Sequence, residues 1–401
     1  MKRSSWLETI ANSMERDPSI DAESRAELAG LDEALFDAWN LGENIVLAWT
    51  GNGAVRRFLV IRHYGILEPF REIDGTVAGN ASGGEFTAEL LARPKQASPA
   101  EFDALQAGFG EVAHVIDVPV RPGSRLDAAL VSSLVRGYSV NLVRERAVML
   151  LDIVGFSLHS PLEQVAMLNS LSYSANSAYQ QLISEHVRIN FARSSTDDGF
   201  YIWNRARTPD ANIALHKLML LILSDNAVAR SKARRFPMPQ LRTAFHVGEH
   251  YEFCQVEALN PTTFSYIVGH VTIELSRIVE KALPGQIVLG DFTLAMLDSN
   301  AGPAGACDTI EFIARTEQTL RQLEGLSVAK DHIAGIRCYI TGRSNARGGF
   351  EASRYVISDK HGLQRPVYNA KINIHLRDGE PIFLGLQHKD LFETHAPAAA
   401  V

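Results

Sequence analysis

The 401 residues hold 39 Lys+Arg against 46 Asp+Glu, a net charge of −7, with 46% hydrophobic and 21% charged residues. This is an ordinary soluble composition with apolar residues enough for a full core, long enough for two or three domains, and without the charge runs of a non-specific nucleic-acid binder. The three cysteines (Cys254, Cys307, Cys338) are far apart and outside any CxxC spacing, which argues against a disulfide framework or a zinc cage and for a reducing compartment.

The first residues, MKRSSWLETIANSMERDP, start basic but lack an apolar core of signal-peptide length. No run approaches 18 apolar residues, Leu218–Leu223 being a helix core segment, so the expected setting is cytoplasmic, with no membrane and no nucleic acid as partner. Residues 1 to about 140 read as a mixed α/β unit. Amphipathic stretches around Trp6–Met14 and Ala22–Trp39 precede strand-like runs at Asn44–Trp49 and Arg57–His63. Gly75–Gly84 reads as a loop, Glu111–Val120 as a strand closed by the turn Arg121-Pro122-Gly123, and Asp127–Val143 as a connecting helix.

From Arg146 the texture changes. Ala147–Leu151 is a short buried-strand run ending in Asp152-Ile153-Val154-Gly155-Phe156-Ser157. Ser160-Pro161-Leu162-Glu163 then starts a helix, with Ser as cap, Pro at the first position and Glu closing a capping box. Val165, Leu168, Leu171 and Leu182 are its expected buried stripe. Val187–Ala192 and Phe200–Trp203 form a hairpin through Thr196-Asp197-Asp198-Gly199, and a second helix spans Asp210–Arg235. Strands at Leu241–Val247, Thr263–Val268 and Gln286–Leu289 flank a helix over Thr272–Ala282, giving the β-α-β-β-α-β order of a ferredoxin-like split βαβ core. A helix at Thr316–Leu323 and strands at Gly335–Thr341, Arg354–Ile357, Val367–Leu376 and Ile382–Leu386 complete the chain, the last two joined by the Asp-Gly hairpin at Arg377–Glu380.

The chemistry lies in two strand-end carboxylates. Asp152 closes a buried strand and Asp198 sits in a hairpin turn that this topology makes its neighbour, so their oxygens can converge as Mg²⁺ requires. Two ions so held can activate an oxygen nucleophile and steady leaving phosphates. Gly155 lets the backbone approach a phosphate, and the next helix start offers N–H groups to it.

LLDIVGFS, then TDDGF, then Gly269, Arg277 and Pro284-Gly285 at their spacing resemble the class III adenylyl and guanylyl cyclase domain over roughly residues 146–292. The resemblance implies a homodimer with shared active sites and two Mg²⁺ or Mn²⁺ ions held by Asp152, Ile153 and Asp198. Gly155, Phe156, Ser194 and Tyr266 would contact a nucleoside triphosphate, and Arg277 of the other copy would stabilise charge on its phosphates. The nucleophile would be the substrate's own 3′-hydroxyl.

This chain departs from the family at four places. Asp197 stands where a Gly is usual, Ser194 replaces a purine-reading Lys, Tyr266 replaces a base-reading Asp, and Ile273 replaces an Asn one turn before Arg277. The metal residues are kept and base recognition is rewritten. That suits a changed base preference, including a pyrimidine cyclase of the bacterial anti-phage type, or a weakened enzyme. His246, His250 and His270 do not have zinc-motif spacing and read as structural, and Arg230–Arg235 reads as a cationic helix end. The expectation is an α/β (α+β) protein: an N-terminal regulatory or packing domain (1–143), a ferredoxin-like class III cyclase core (144–343) and a small β-rich C-terminal extension (344–401). Its function would be metal-dependent cyclisation of a nucleoside triphosphate with release of pyrophosphate. The alternative is a catalytically degenerate cyclase-fold module that binds a nucleotide or a partner.

Overall fold

The computed structural model describes residues 22–51, 53–70, 80–124, 126–187, 189–233, 238–256, 263–298, 302–328, 331–343 and 351–393. The stretch at Trp6–Met14 lies outside them. Two compact units emerge, residues 1–144 with 250–268, and residues 145–249 with 269–401.

The first unit is built on an antiparallel sheet of β1 (Asn44–Gly51), β2 (Val55–Arg62) and β3 (Ala113–Pro119), in that order. Alternate residues point to opposite faces, and both faces are apolar. Val46, Trp49, Phe58 and Val60 meet Leu28, Leu31 and Leu35 of α1 (Ala22–Trp39) and Val131, Leu134 and Val135 of α4 (Ala128–Gly137). Ile45, Leu47, Leu59 and Ile61 meet Leu90 and Leu91 of α2 (Asn80–Ala92) and Phe102 and Phe109 of α3 (Pro99–Phe109). Two expectations are corrected here. Residues 80–84, expected in a loop, are the first turn of α2, because packing of Leu90 and Leu91 outweighs the low helix propensity of Gly83-Gly84. The connecting helix stops at Gly137 instead of Val143. The Ser139 hydroxyl donates to the carbonyls of Val46 and Val135 (2.6 and 2.8 Å), and the chain turns there into β4 (Asn141–Ile153).

The second unit holds the expected core. Its elements are α5 (Pro161–Ser184), β5 (Phe191–Ser195), β6 (Gly199–Asn204), α6 (Pro209–Lys232) and β7 (Leu241–Val256), whose residues from His250 on belong with β8 (Thr263–Val268) to the first unit. The strand order β7-β4-β6-β5 is the ferredoxin-like one. Met167, Leu171, Ala175, Ala178 and Leu182 of α5 pack with Leu215, Leu218, Met219 and Ile222 of α6 over this sheet. Val165, expected in that buried stripe, is instead 54% exposed.

After α7 (His270–Lys281) the sheet continues through β9 (Ile287–Gly290), parallel to β7. A two-stranded ribbon, β10 (Thr293–Asp298) and β11 (Gly302–Asp308), leads to α8 (Thr309–Thr319). That helix begins seven residues before the sequence reading placed it, because Asp308 caps it, accepting from Glu311 N–H at 2.8 Å. Beyond β12 (Ser327–Val328) and β13 (Asp331–Ile340) come β14 (Arg354–Ser358), β15 (Gln364–Leu376), β16 (Ile382–Leu384) and α9 (His388–Glu393). β15 does not sit outside the sheet. It lies between β13 and β9, antiparallel to both, and carries β14 and β16 as partners. Among the described residues no helix is long and apolar enough to cross a membrane.

Candidate functional site

Asp152 lies one residue before the end of β4, in its buried run, and pairs in register with Gly199, the first residue of β6. The fit is close enough to require glycine: a Cβ at position 199 would stand 1.8 Å from the Leu151 carbonyl oxygen. The Ile153 N–H donates to the Asp198 carbonyl at 2.9 Å, so the hairpin turn is stapled to the strand end. The two carboxylates come together as a result. Asp152 is 5% exposed and Asp198 half-buried, while Asp197 points to solvent. Burial pushes the Asp152 carboxyl up to about 6; Arg242 opposes the rise, and Asp198, by charge and by a shared hydrogen bond, adds to it.

Arg242, the second residue of β7, donates from Nε to Asp152 Oδ2. The sequence reading missed this residue. Its signal was available, a lone cation in the run Leu-Arg-Thr-Ala-Phe, but the sheet order is needed to set β7 beside β4. Tyr201 of β6 was missed too. Its hydroxyl donates to the Thr272 carbonyl on α7 at 3.2 Å. Burial raises its pKa, a bond with Ser276 opposes this, and the Asp152 and Asp198 charges add to the rise.

After Ile153, the Val154 N–H donates to the Gln240 carbonyl at 2.8 Å, and Gly155 takes φ +67, a left-handed conformation that favours glycine. Phe156 to Leu158 form one tight turn, with the Phe156 ring packed on the main core. At the start of α5 the expected capping box is present: Glu163 accepts from the Ser160 N–H at 2.8 Å, so a carboxylate already serves this helix end.

The remaining sites are more dispersed. Ser194 lies on β5 opposite Tyr201, and Arg193, next to it, donates to the Ser172 hydroxyl at 2.7 Å and lies over the Phe200 ring. Arg277 of α7 pairs with Glu280 at 3.8 Å, and no hydrogen bond or ion pair among the described residues joins it to Asp152 or Asp198. Tyr266 belongs to the first unit, where it stacks on Phe253 at 5.8 Å. Among the described residues no three His, Cys, Asp or Glu side chains gather as a metal cluster. What the fold and site define is a ferredoxin-like sheet with a carboxylate pair and one guanidinium where β4 meets the β5–β6 hairpin. The two carboxylates, one of them raised mainly by burial, offer oxygen donors that suit a hard divalent cation.

No family model and no curated protein matches the chain. Among solved structures it is similar to the guanylate cyclase domain of RhGC from Catenaria anguillulae in complex with GTP, with 12% identity over 59% of this chain and 100% of that one, at TM-score 0.35. It is also similar to the guanylyl cyclase Cya2 (14% identity, 57% and 91% covered, TM-score 0.33) and to the adenylyl cyclase CyaB from P. aeruginosa (11%, 60% and 97%, TM-score 0.32). Likeness at this level carries no argument about activity, which has to come from the residues.

Proposed function

We propose that the second unit is a nucleotide cyclase domain, converting a nucleoside triphosphate to its 3′,5′-cyclic nucleotide and pyrophosphate. The observation that carries this reading is the convergence of Asp152 and Asp198, with Arg242 bonded to Asp152. Two Mg²⁺ or Mn²⁺ ions, held by Asp152, Ile153 and Asp198, would supply activation of the 3′-hydroxyl and neutralisation of the leaving phosphates. The 3′-hydroxyl gives up its proton to water, its oxygen bonds to the α-phosphorus, and the bond to the bridging oxygen breaks with its electrons leaving on pyrophosphate, so the chain needs no nucleophile of its own. Arg242, freed from Asp152 once that carboxylate turns to a cation, can grip phosphate oxygens with its fork. Gly155 and Phe156 bring the backbone up to the triphosphate.

Arg277 would act on the phosphates bound by a second copy. The uncovered apolar side chains Leu158, Leu162, Val165 and Tyr173 at and along α5, 87%, 80%, 54% and 70% exposed, favour such a homodimer. Ser194 and Tyr266 stand where the resemblance expects a purine-reading Lys and a base-reading Asp. Without that Lys and Asp to match a purine edge, a pyrimidine triphosphate fits the reading better. A binding module without turnover is the second reading, favoured by Ile273, which is exposed and apolar where an amide is expected.

The test is to give purified protein Mn²⁺ and equal amounts of ATP, GTP, CTP and UTP, with mass spectrometry of the products. A cyclic nucleotide from wild type and none from Asp152→Asn or Asp198→Asn is the expected outcome. Full activity in either variant overturns the metal assignment. Strong preference for ATP or GTP overturns the argument from Ser194 and Tyr266, and no product from any triphosphate leaves the binding module.

A further inference from the structure

The helix that carries Arg277 is gripped from two sides. Its apolar face is conventional, with Val271, Leu275, Ile278 and Val279 buried against the sheet. Its polar face is not left to solvent. Glu274, one turn before Arg277, accepts from Arg365 Nη1, and the same guanidinium donates to Asp359 Oδ2 from Nε and Nη2 at 3.1 and 2.9 Å. The three side chains are deeply sheltered, 12% exposed for Arg365, 15% for Glu274 and 0% for Asp359.

Asp359 is itself fixed. It opens the β14–β15 turn and accepts from the N–H groups of His361 and Leu363 at 2.8 and 3.0 Å. Burial alone would raise its carboxyl. Those N–H bonds and the charges of His361 and Arg277 hold it below the ordinary value instead. His270, at the helix start, adds a contact with Glu274 at 3.6 Å. From the other side Tyr201, in the field of the two site carboxylates, bonds the Thr272 carbonyl.

Packing alone does not account for this arrangement. A sheltered ion pair gives back little net stability against its desolvation, and apolar side chains of similar volume would hold a helix as well. What charged forks add is direction, because an Arg bound to two carboxylates tolerates little rotation or sliding of the elements that bear them.

We propose that Arg365 is a positioning residue: from the tail strand β15 it locks Glu274, and through it the rotation of α7, so that Arg277 is presented at a fixed angle. This deepens the cyclase reading and rests on it for the role of Arg277. It also gives the tail a task in the reaction. Arg365 works only through α7 and touches no substrate.

The experiment pairs an activity-independent readout with a double-mutant cycle on the full chain. In Arg365→Met, hydrogen exchange of the α7 amides should quicken roughly tenfold or more while that of β4 and α6 stays put. kcat for cyclisation should fall about tenfold at unchanged KM, yet the same substitution made in Arg277→Ala should change kcat less than about twofold. Should Arg365→Met fail to fold, Glu274→Gln, which keeps a hydrogen-bond acceptor for the guanidinium, should give the same pattern at smaller size. Unchanged α7 exchange, or an equal kcat loss in both backgrounds, overturns the proposal. Absence of turnover in wild type would remove the cyclase reading, and the exchange measurement would still decide whether Arg365 holds the helix.

Discussion

Position 199 shows how little freedom the site has at the scale of single residues. A methyl group there has nowhere to go but into the Leu151 carbonyl, so Gly199→Ala must push β6 off β4. We expect a loss of about 1–3 kcal/mol in urea unfolding, in the range of strained or overpacked substitutions. Asp152 makes the opposite prediction. Its folded carboxyl, at about 6, lies above the ordinary 3.8, so the folded chain holds a proton that the unfolded chain has lost between those values. The contribution favours folding below about pH 4 and is lost as pH rises through 6. Asp152→Asn should therefore raise the thermal midpoint at pH 7.5 without divalent ions, by the equivalent of about 1–3 kcal/mol, and the gain should vanish near pH 4. A lowered midpoint at pH 7.5 would mean that the Arg242 pairing outweighs burial. Mn²⁺ should stabilise wild type and not the variant, with an affinity that weakens as pH falls below about 6 because cation and proton compete for one carboxylate. The aspartates were legible in the sequence because the residue types and the Asp-Gly turn announce them. Arg242 and Tyr201 were not, since an arginine or tyrosine in a strand has no meaning until the neighbouring strand is known.

The local patterns that fixed elements most firmly were caps and hairpins. Ser160-Pro161 and the Asp-Gly turn at 198–199 appear where the sequence put them, because side chain and backbone settle those geometries within a few residues. The end of the connecting helix carries no such local signal, since the Ser139 turn depends on a distant carbonyl of Val46, whereas α8 does begin at a cap, Asp308, seven residues before the expected start. Val165 failed for a more informative reason. Helical spacing puts it on an apolar stripe, but a second stripe of α5 faces outward with Leu162 and Tyr173, and spacing alone cannot say which one the core takes. If that outward stripe meets a second copy, Leu162→Glu should turn a dimer into a monomer in analytical ultracentrifugation. Turnover should be lost, with Mn²⁺ binding at Asp152 and Asp198 kept. Shared sites make a stronger demand: mixing Asp152→Asn chains with Arg277→Ala chains should recover part of the activity, since one site per mixed dimer is then complete. No recovery in heterodimers verified by tag would overturn the shared site.

For the molecule as a whole, burial of titratable groups sets the acid limit. His216 of α6 is fully buried between Phe245 and Phe312, at 5.2 and 5.9 Å, and neither ring nitrogen has a partner among the described residues. Burial pushes its pKa down to about 3, and the Lys217 charge adds to this. Between that value and the ordinary 6.5 the unfolded chain binds the extra proton, so stability falls as pH drops through the window, by about 1.4 kcal/mol per unit for this one group. Asp152 works the other way from 3.8 to 6, so the comparison is cleanest in Asp152→Asn. There, His216→Leu should flatten the dependence of the urea midpoint between pH 6.5 and 5, and an unchanged slope would assign the acid loss to other groups. The class of fold and the ferredoxin-like core could be read from the order of strands and helices. The place of the tail could not, because hydrophobic alternation identifies a strand without naming its neighbours.

That place has a consequence for how the protein is made. β15 leaves the ribosome after both β9 and β13, yet it is the strand that joins them. Until residues 364–376 emerge, the nascent chain holds two sheet fragments with open edges facing the same gap, each able to pair with another chain. Synthesis of this protein therefore passes through a stage that depends on edge protection, and a premature stop before Gln364 would release a species with β14 unpaired and the facing edges of β9 and β13 open to other chains.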